Sequence, residues 1–124
     1  MSTLKFSEDH EWVLTADDGT ALIGITDYAQ EQLGELVYIE LPEVGSEVEK
    51  GDAVAVIESV KSASDLLMPV SGEILEVNEE LDGDPGKVNE DAMGAGWFIK
   101  IRMSDEGELD ELMDSDSYHD LLEE

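Results

Sequence analysis

The residue whose type and position are most suited to a chemical role is Lys61, the single basic residue between Lys50 and Lys87. Turn-forming glycines lie ten residues before it, at Gly51, and eleven residues after it, at Gly72, so the spacing places Lys61 at the tip of a hairpin. An isolated surface lysine is ordinarily a solvated charge. However, this chain retains only 6 basic residues beside 33 acidic ones, and one of them stands at this exposed tip. Retention of a lysine here indicates a functional role for Lys61, and the arrangement alone does not define its chemistry.

Other kinds of chemistry lack the residues that they require. The chain has no cysteine, which excludes disulfides, thiol nucleophiles and thiolate metal sites, so any redox chemistry requires a bound cofactor. The segment 82–84 begins like a calcium loop, but Gly86 stands where that loop needs its third ligand. His10-Glu11 does not open a zinc-protease motif, because Leu14 occupies the place of the second histidine. We accordingly expect no catalytic residue and no metal site.

The acidic residues give the chain an unusual overall charge. The formal net charge is −27 and the isoelectric point is about 4.1, with carboxylates distributed from Glu8 to Glu124. Such a surface repels phosphates, so neither nucleic acid nor an anionic membrane is an expected partner. A dense carboxylate surface stays hydrated at high salt, where screening reduces self-repulsion, and this predicts a halophile's protein. With no secretion signal and no apolar run approaching about 20 residues, we expect a soluble cytoplasmic protein.

Short apolar and β-branched runs recur about every ten residues, which favours a sandwich or barrel of antiparallel strands. Asp27, as a carboxylate N-cap with Gln30 three residues later, predicts the start of a short helix near 27–33, and Gly34 predicts its end. The predicted strands are 12–15 and 20–25, which are joined by the turn Asp17-Asp18-Gly19, followed by 36–41, 53–57, 73–77 and 97–103.

The remaining segments complete a single predicted domain. Segment 81–96 contains several glycines and a proline and is predicted to be a long loop. Ser104 or Asp105 is the predicted cap of a final helix, because Leu109, Leu112 and Met113 fall on one helical face. We therefore expect one domain over 1–124, with a C-terminal helical segment at about 105–122.

Several motifs carry a resemblance to a known family. The segments around Lys61 resemble the attachment site of lipoyl-carrier domains: Gly51-Asp52, Glu58-Ser-Val-Lys61, Asp65-Leu66 and Pro69-Val-Ser-Gly72. Segments elsewhere are similar, in order, to the glycine cleavage system H-protein family: His10-Glu-Trp12, Gly24-Ile-Thr-Asp27, Ala29-Gln30, Leu33-Gly34, Leu41-Pro-Glu-Val-Gly45, Val77-Asn78 and Gly96-Trp97. The resemblance extends from about Leu4 to about Tyr118.

Related carrier families fit less well. Biotin carriers usually have a methionine on each side of the modified lysine, whereas Val60 and Ser62 flank Lys61 here. The lipoyl domains of 2-oxoacid dehydrogenase acyltransferases are shorter and lack the His10-Glu-Trp12 opening. The chain also departs from the H-protein pattern after Asn89, where a proline and an aromatic residue are missing. This departure concerns a loop and leaves the lysine motif intact.

The resemblance implies both a fold and a function. The implied fold is all-β, a flattened barrel-like sandwich of two antiparallel sheets with the short helix near 27–33 and a C-terminal helix. Lys61 would carry lipoate in amide linkage, as N6-lipoyllysine, and Glu58, Ser59 and Val60 would be recognised by the lipoate-attaching enzyme. The carrier would take the aminomethyl group of glycine from the pyridoxal-phosphate-dependent glycine decarboxylase to the aminomethyltransferase. Dihydrolipoyl dehydrogenase would reoxidise it, and the carrier itself would be a monomer and not an enzyme.

Two further implications concern the loaded arm and the choice of pathway. In the family the arm folds into a cleft of its own carrier, and Glu11 and Asp65 are the candidates for holding its cationic amine. An H-like lipoyl protein that donates lipoate in a relay, or that mediates a modification-linked interaction, is the alternative function. An acidic binding protein with an unmodified Lys61 is the third.

Overall fold

The computed structural model describes residues 3–8, 10–16 and 18–122, so Asp17 of the predicted turn lies outside the described residues. Among these residues the chain forms nine strands in two antiparallel sheets. The strands are β1 (Thr3–Phe6), β2 (Glu11–Thr15), β3 (Thr20–Ile25), β4 (Leu36–Glu40), β5 (Glu47–Val48), β6 (Ala53–Ser59), β7 (Ala63–Leu67), β8 (Gly72–Val77) and β9 (Ile99–Met103).

The two sheets enclose the main hydrophobic core. The larger sheet has the order β1-β2-β3-β9-β8-β5 and the smaller one the order β4-β6-β7. Side chains alternate across each strand, and Ile57 and Leu66 of the small sheet are buried in the same cluster as Val13, Ile23 and Ile74 of the large one. The all-β sandwich expectation is therefore confirmed.

In the part of the chain that the structure describes, four short α-helices and a 3₁₀ turn connect or follow the strands: α1 (Asp27–Leu33), α2 (Glu80–Gly83), α3 (Gly86–Glu90), the 3₁₀ turn Glu106–Glu111 and α4 (Ser115–Leu122). The predicted helix at 27–33 is confirmed, but its N-cap is Thr26 and not Asp27. The Thr26 hydroxyl accepts a hydrogen bond from the Ala29 N–H at 3.2 Å. Gly34 ends the helix as predicted, with φ of 82°.

Two predictions for the second half of the chain require correction. Segment 81–96 is not a continuous loop, since α2 and α3 each place an apolar side chain, Leu81 and Val88, in the core. The residues near Asp105 do not begin the final helix either. The Asp105 carboxylate caps the 3₁₀ turn by accepting from the Gly107 N–H at 3.0 Å, and the helix itself starts at Ser115.

A second, smaller apolar cluster fastens the chain ends to the large sheet. Tyr118 of α4 stacks on Phe6 of β1 with ring centroids 4.5 Å apart and an interplanar angle of 7°, and Trp12 belongs to the same cluster. The Trp12 indole N–H donates to the Ala92 carbonyl at 3.0 Å.

No helix in the described part of the chain is both long and apolar enough to cross a membrane.

Candidate functional site

Lys61 lies at the tip of the β6–β7 hairpin, as the glycine spacing predicts. The last paired residues of the two strands are Glu58 and Ala63, and the Ser59 N–H donates to the Ser62 carbonyl at 2.8 Å to close the turn. Lys61 is exposed in the middle of this turn. The hairpin therefore presents the lysine side chain to solvent on a backbone held by the strand ladder.

The Ser59 side chain shapes the turn. Its hydroxyl donates to the Ser62 carbonyl at 3.1 Å and accepts from the backbone N–H groups of Lys61, at 3.2 Å, and Ser62, at 3.1 Å. A serine hydroxyl can act as donor and acceptor together, which an apolar residue of similar size cannot do. The structure thus gives Ser59 a direct part in the backbone conformation at the lysine.

A second chain segment supports the tip from the side. The Val60 N–H donates to the Glu35 carbonyl at 3.0 Å, which ties the turn to the connection between α1 and β4. The Val60 side chain itself is 64% exposed, and Glu58 is also exposed. These two side chains, one and three positions before the lysine, are therefore available to a protein that approaches it.

The aliphatic part of Lys61 lies against Gly34. A methyl group placed on the Gly34 Cα would be 3.1 Å from Lys61 Cε, 3.6 Å from Cδ and 3.7 Å from Nζ. Gly34 also has φ of 82° and ψ of −156°, a conformation open essentially to glycine alone. Gly34 thus leaves room for the lysine stem in addition to ending α1.

Asn89 of α3 holds the segment on which the lysine rests. Its side-chain carbonyl accepts from the Leu36 N–H at 2.9 Å, and its amide donates to the Gly34 carbonyl at 2.9 Å and to the Gln30 side-chain carbonyl at 2.8 Å. Neither Gly34 nor Asn89 was predicted from the sequence to be part of the site. Each is distant from Lys61 along the chain, and no motif spacing connects them.

The N-terminus of α1 is held by the C-terminal helix. The Tyr118 hydroxyl lies 2.6 Å from the Thr26 hydroxyl, which caps α1, and 2.8 Å from Nδ1 of His10. Burial raises the pKa of Tyr118 above its usual value, and the hydrogen bond with Thr26 opposes this shift. α1 is therefore fixed at both ends, by Tyr118 at its start and by Asn89 at its end.

The Lys61 amine has no ion-pair partner among the described residues. The described ion pairs of this acidic protein join Lys50 to Glu111, at 2.9 Å, and Lys100 to Glu76, at 3.7 Å. The described residues also contain no cluster of side chains suited to a metal ion. The arrangement at the tip is thus an accessible primary amine on a fixed backbone, which is suited to acylation by another protein.

The two carboxylates predicted to hold a loaded arm lie beside β7 and not in the lysine turn. Glu11 is 3% exposed, and its carboxylate accepts from the Ser7 hydroxyl at 2.7 Å and from the Leu67 N–H at 3.3 Å. Asp65 is exposed on β7, two residues before Leu67 and four after Lys61. Their part in binding the arm stays a prediction.

Comparison with known proteins agrees with the geometry. The family model described as Glycine cleavage H-protein matches residues 4–124. Glycine cleavage system H proteins from Rhodospirillum rubrum and Parvibaculum lavamentivorans are 59% and 54% identical to this chain; the matches cover 95% and 99% of it and 94% and 98% of the relatives. A crystal structure of such an H protein from Mycobacterium marinum superimposes with a TM-score of 0.90 at 36% identity, covering 98% of this chain and 97% of that one.

Proposed function

Since the chain belongs to the glycine cleavage H-protein family, we propose that it carries lipoate in amide linkage on Lys61 and serves as the carrier of the glycine cleavage system. Proteins of this family shuttle the aminomethyl group of glycine from glycine decarboxylase to aminomethyltransferase and are reoxidised by dihydrolipoyl dehydrogenase. In this proposal the whole chain acts as one carrier domain, and none of its residues is catalytic.

The observation that carries the proposal is the presentation of Lys61. The amine is exposed at a hairpin tip, lacks an ion pair among the described residues and extends from a backbone that Ser59 and Glu35 hold in place. Acylation requires a neutral amine to attack the carbonyl of an activated lipoate, such as lipoyl adenylate, with loss of a proton and departure of AMP. A lysine within a sheet would not offer its amine in this way, so these residues fit the group.

Lipoate supplies a dithiolane, which is the redox-active group that this cysteine-free chain lacks. The chain's own contribution is to hold and present that group. Ser59 fixes the backbone on either side of the lysine, and the exposed Glu58 and Val60 offer contacts to the lipoate-attaching enzyme. The strands then act as a rigid support from which the modified side chain swings between partner proteins.

We also propose that Glu11 and Asp65 hold the loaded arm, by charge-assisted hydrogen bonds to its amine. Asp65 lies four positions after Lys61, partly in the turn and partly in β7, so the two Cα atoms are at most about 13 Å apart at 3.3 Å per residue. A lipoyl-lysine side chain contains about a dozen bonds of about 1.5 Å, so its extended reach of roughly 15 Å covers that distance. Glu11 already accepts two hydrogen bonds, which fix the orientation of its carboxylate beside β7.

The remaining features of the proposal concern the environment of the protein. With a net charge of −27, we propose a monomer that works in a cytoplasm of high salt concentration, where screening limits repulsion between the carboxylates.

The proposal is tested by comparing the wild-type protein with Lys61→Arg and with Lys50→Arg, a matched control at another exposed turn. Each unmodified protein is incubated with a lipoate–protein ligase, lipoate and ATP, its mass is measured, and it is then added to glycine decarboxylase in a glycine–bicarbonate exchange assay. We expect the wild type and Lys50→Arg to gain one lipoyl group and to support exchange, and Lys61→Arg to do neither.

Two results would contradict the proposal in different ways. Lipoylation of Lys61→Arg, or none of the wild type, would remove Lys61 as the attachment site. A lipoylated wild-type protein that supports no exchange would refute the glycine cleavage role and favour the lipoate-relay alternative.

A further inference from the structure

We infer that Asn89 is a positioning residue for Lys61: its side-chain amide clamps the Gly34–Leu36 connection, and that connection supports the lysine turn. The inference rests on the proposed attachment of lipoate at Lys61. The described hydrogen bonds of its side chain go to Gln30, Gly34 and Leu36 and not to the lysine, so it acts through the backbone between them.

The clamp uses the full donor capacity of the amide. Both N–H groups of Asn89 are engaged, one with the Gly34 carbonyl and one with the Gln30 side chain, while its oxygen accepts from the Leu36 N–H. Glu35 lies between Gly34 and Leu36, whose backbone groups both bond to the Asn89 side chain. Asn89 of α3 therefore fixes the position of the Glu35 peptide.

The lysine turn depends on that same connection at two points. The Glu35 carbonyl accepts the Val60 N–H at 3.0 Å, immediately before Lys61, and the Lys61 stem packs on Gly34. A displacement of residues 34–36 would therefore remove both the hydrogen bond beside the lysine and the surface beneath its side chain.

The strand ladder does not hold the connection by itself. The pairing of β4 with β6 is irregular here, because the register shifts between Leu36 and Tyr38. Gly34 has in addition the largest conformational freedom of any residue type. Asn89 supplies the fixed contacts that regular pairing provides elsewhere in the sheet.

Loss of the clamp has a specific expected consequence for acylation. If the turn samples several conformations, only a fraction of the molecules presents the lysine correctly. The apparent affinity for the attaching enzyme then decreases in proportion to that fraction. KM for the carrier then rises while kcat is unchanged. Loss of stability alone leaves KM unchanged at temperatures where the protein remains folded.

The experiment compares Asn89→Ala with Asn78→Ala as a matched control. Asn78 also makes three hydrogen bonds through its side chain, to the Ala95 and Trp97 carbonyls and from the Glu80 N–H, but none to the connection or the turn. Amide hydrogen exchange is measured by NMR on the unmodified proteins at a temperature where circular dichroism shows all of them folded. Lipoylation kinetics are measured with a lipoate–protein ligase, lipoate and ATP.

We expect Asn89→Ala to increase the exchange rates of the Leu36 and Val60 amides by about fivefold, the factor that corresponds to one net hydrogen bond. We expect its KM in lipoylation to rise at least about threefold with unchanged kcat, and Asn78→Ala to alter neither quantity. If Asn89→Ala fails to fold, the isosteric Asn89→Asp serves in its place. The aspartate retains the acceptor for the Leu36 N–H but has no donor for the Gly34 carbonyl. The exchange rate of the Val60 amide and the KM in lipoylation should therefore rise, as in Asn89→Ala.

Unchanged exchange at Val60, an unchanged KM, or equal effects in Asn78→Ala would each overturn the positioning role. These results are distinguishable from failure of the proposed function. If the wild-type protein accepts no lipoate, the attachment proposal fails and the positioning role falls with it, whereas a lipoylated wild type beside an unaffected Asn89 variant contradicts the positioning role alone.

Discussion

Removal of the Tyr118 hydroxyl should loosen the C-terminal helix and the start of α1 together. In Tyr118→Phe the ring keeps its stacking on Phe6, but the hydrogen bonds with Thr26, at 2.6 Å, and His10, at 2.8 Å, are lost. The Thr26 hydroxyl retains the Ala29 N–H as a donor, so it is not left wholly without a partner. The perturbation therefore isolates the contribution of two hydrogen bonds.

The magnitude follows from the usual net value of a hydrogen bond, about 1 kcal/mol. Because His10 is only partly buried and water can replace its lost bond, we expect the free energy of unfolding to fall by about 1 to 2 kcal/mol in total. For a chain of this length that corresponds to a decrease in Tm of roughly 5 °C.

The assay is urea unfolding followed by tryptophan fluorescence and circular dichroism at pH 7. Tyr38→Phe is the matched control, because Tyr38 is 45% exposed and its free energy of unfolding should change by less than about 0.5 kcal/mol. If Tyr118→Phe is as stable as the wild type, or if the two variants lose the same amount, the hydroxyl does not fasten α4 to α1.

Three further outcomes are expected. Gly24→Ala should destabilise the protein by about 1 to 3 kcal/mol in urea unfolding, because its new methyl group would lie 2.8 Å from Nε1 of the buried Trp12. Above about pH 10 the destabilisation caused by Tyr118→Phe should shrink, because burial raises the pKa of Tyr118 in the folded protein above its value in the unfolded chain. The wild type therefore loses the Tyr118 contribution to its free energy of unfolding as the pH rises from the unfolded-state pKa through the folded-state pKa. The variant has no hydroxyl at this position and does not lose that contribution. The Tm from circular dichroism should rise between dilute buffer and molar salt, because salt screens a net charge of −27.

Each of these outcomes has its own refuting result, and the first also has a matched control variant. Gly83→Ala is the control for Gly24→Ala, since a methyl group at Gly83 would contact nothing within 4 Å, and equal losses in both would show that Trp12 is not displaced. A difference between Tyr118→Phe and the wild type that stays constant from pH 7 to pH 11 would contradict the raised pKa. An unchanged Tm across the salt range would remove the argument for adaptation to high salt.

The sequence was sufficient to predict the parts of the fold that depend on local pattern. Alternating apolar residues predict the paired strands, and the glycines at 51 and 72 on either side of Lys61 predict the hairpin tip. Of these two, Gly51 forms a turn with φ of 93°, whereas Gly72 is the first residue of β8 and not a turn residue. The N-cap was misplaced by one residue because Thr26 and Asp27 both carry an oxygen able to cap a helix. Only the backbone conformation decides between two such neighbours.

The parts that were missed depend on contacts between distant segments. Segment 81–96 contains glycine and proline and therefore resembles a loop, yet burial of Leu81 and Val88 stabilises two short helices within it. The contact of Lys61 with Gly34 joins a hairpin to the end of a helix, and Asn89 reaches Gly34 across 55 positions. No periodicity in the sequence reports such contacts, so the support of the lysine was visible only in the folded chain.

The central claim is that Lys61 carries lipoate, and the most direct test is the intact mass of the protein purified from its native host, with peptide fragmentation to locate any added group. We expect an increment of one lipoyl group, confined to Lys61. An unmodified Lys61 in cells whose other lipoyl proteins are fully modified would contradict it.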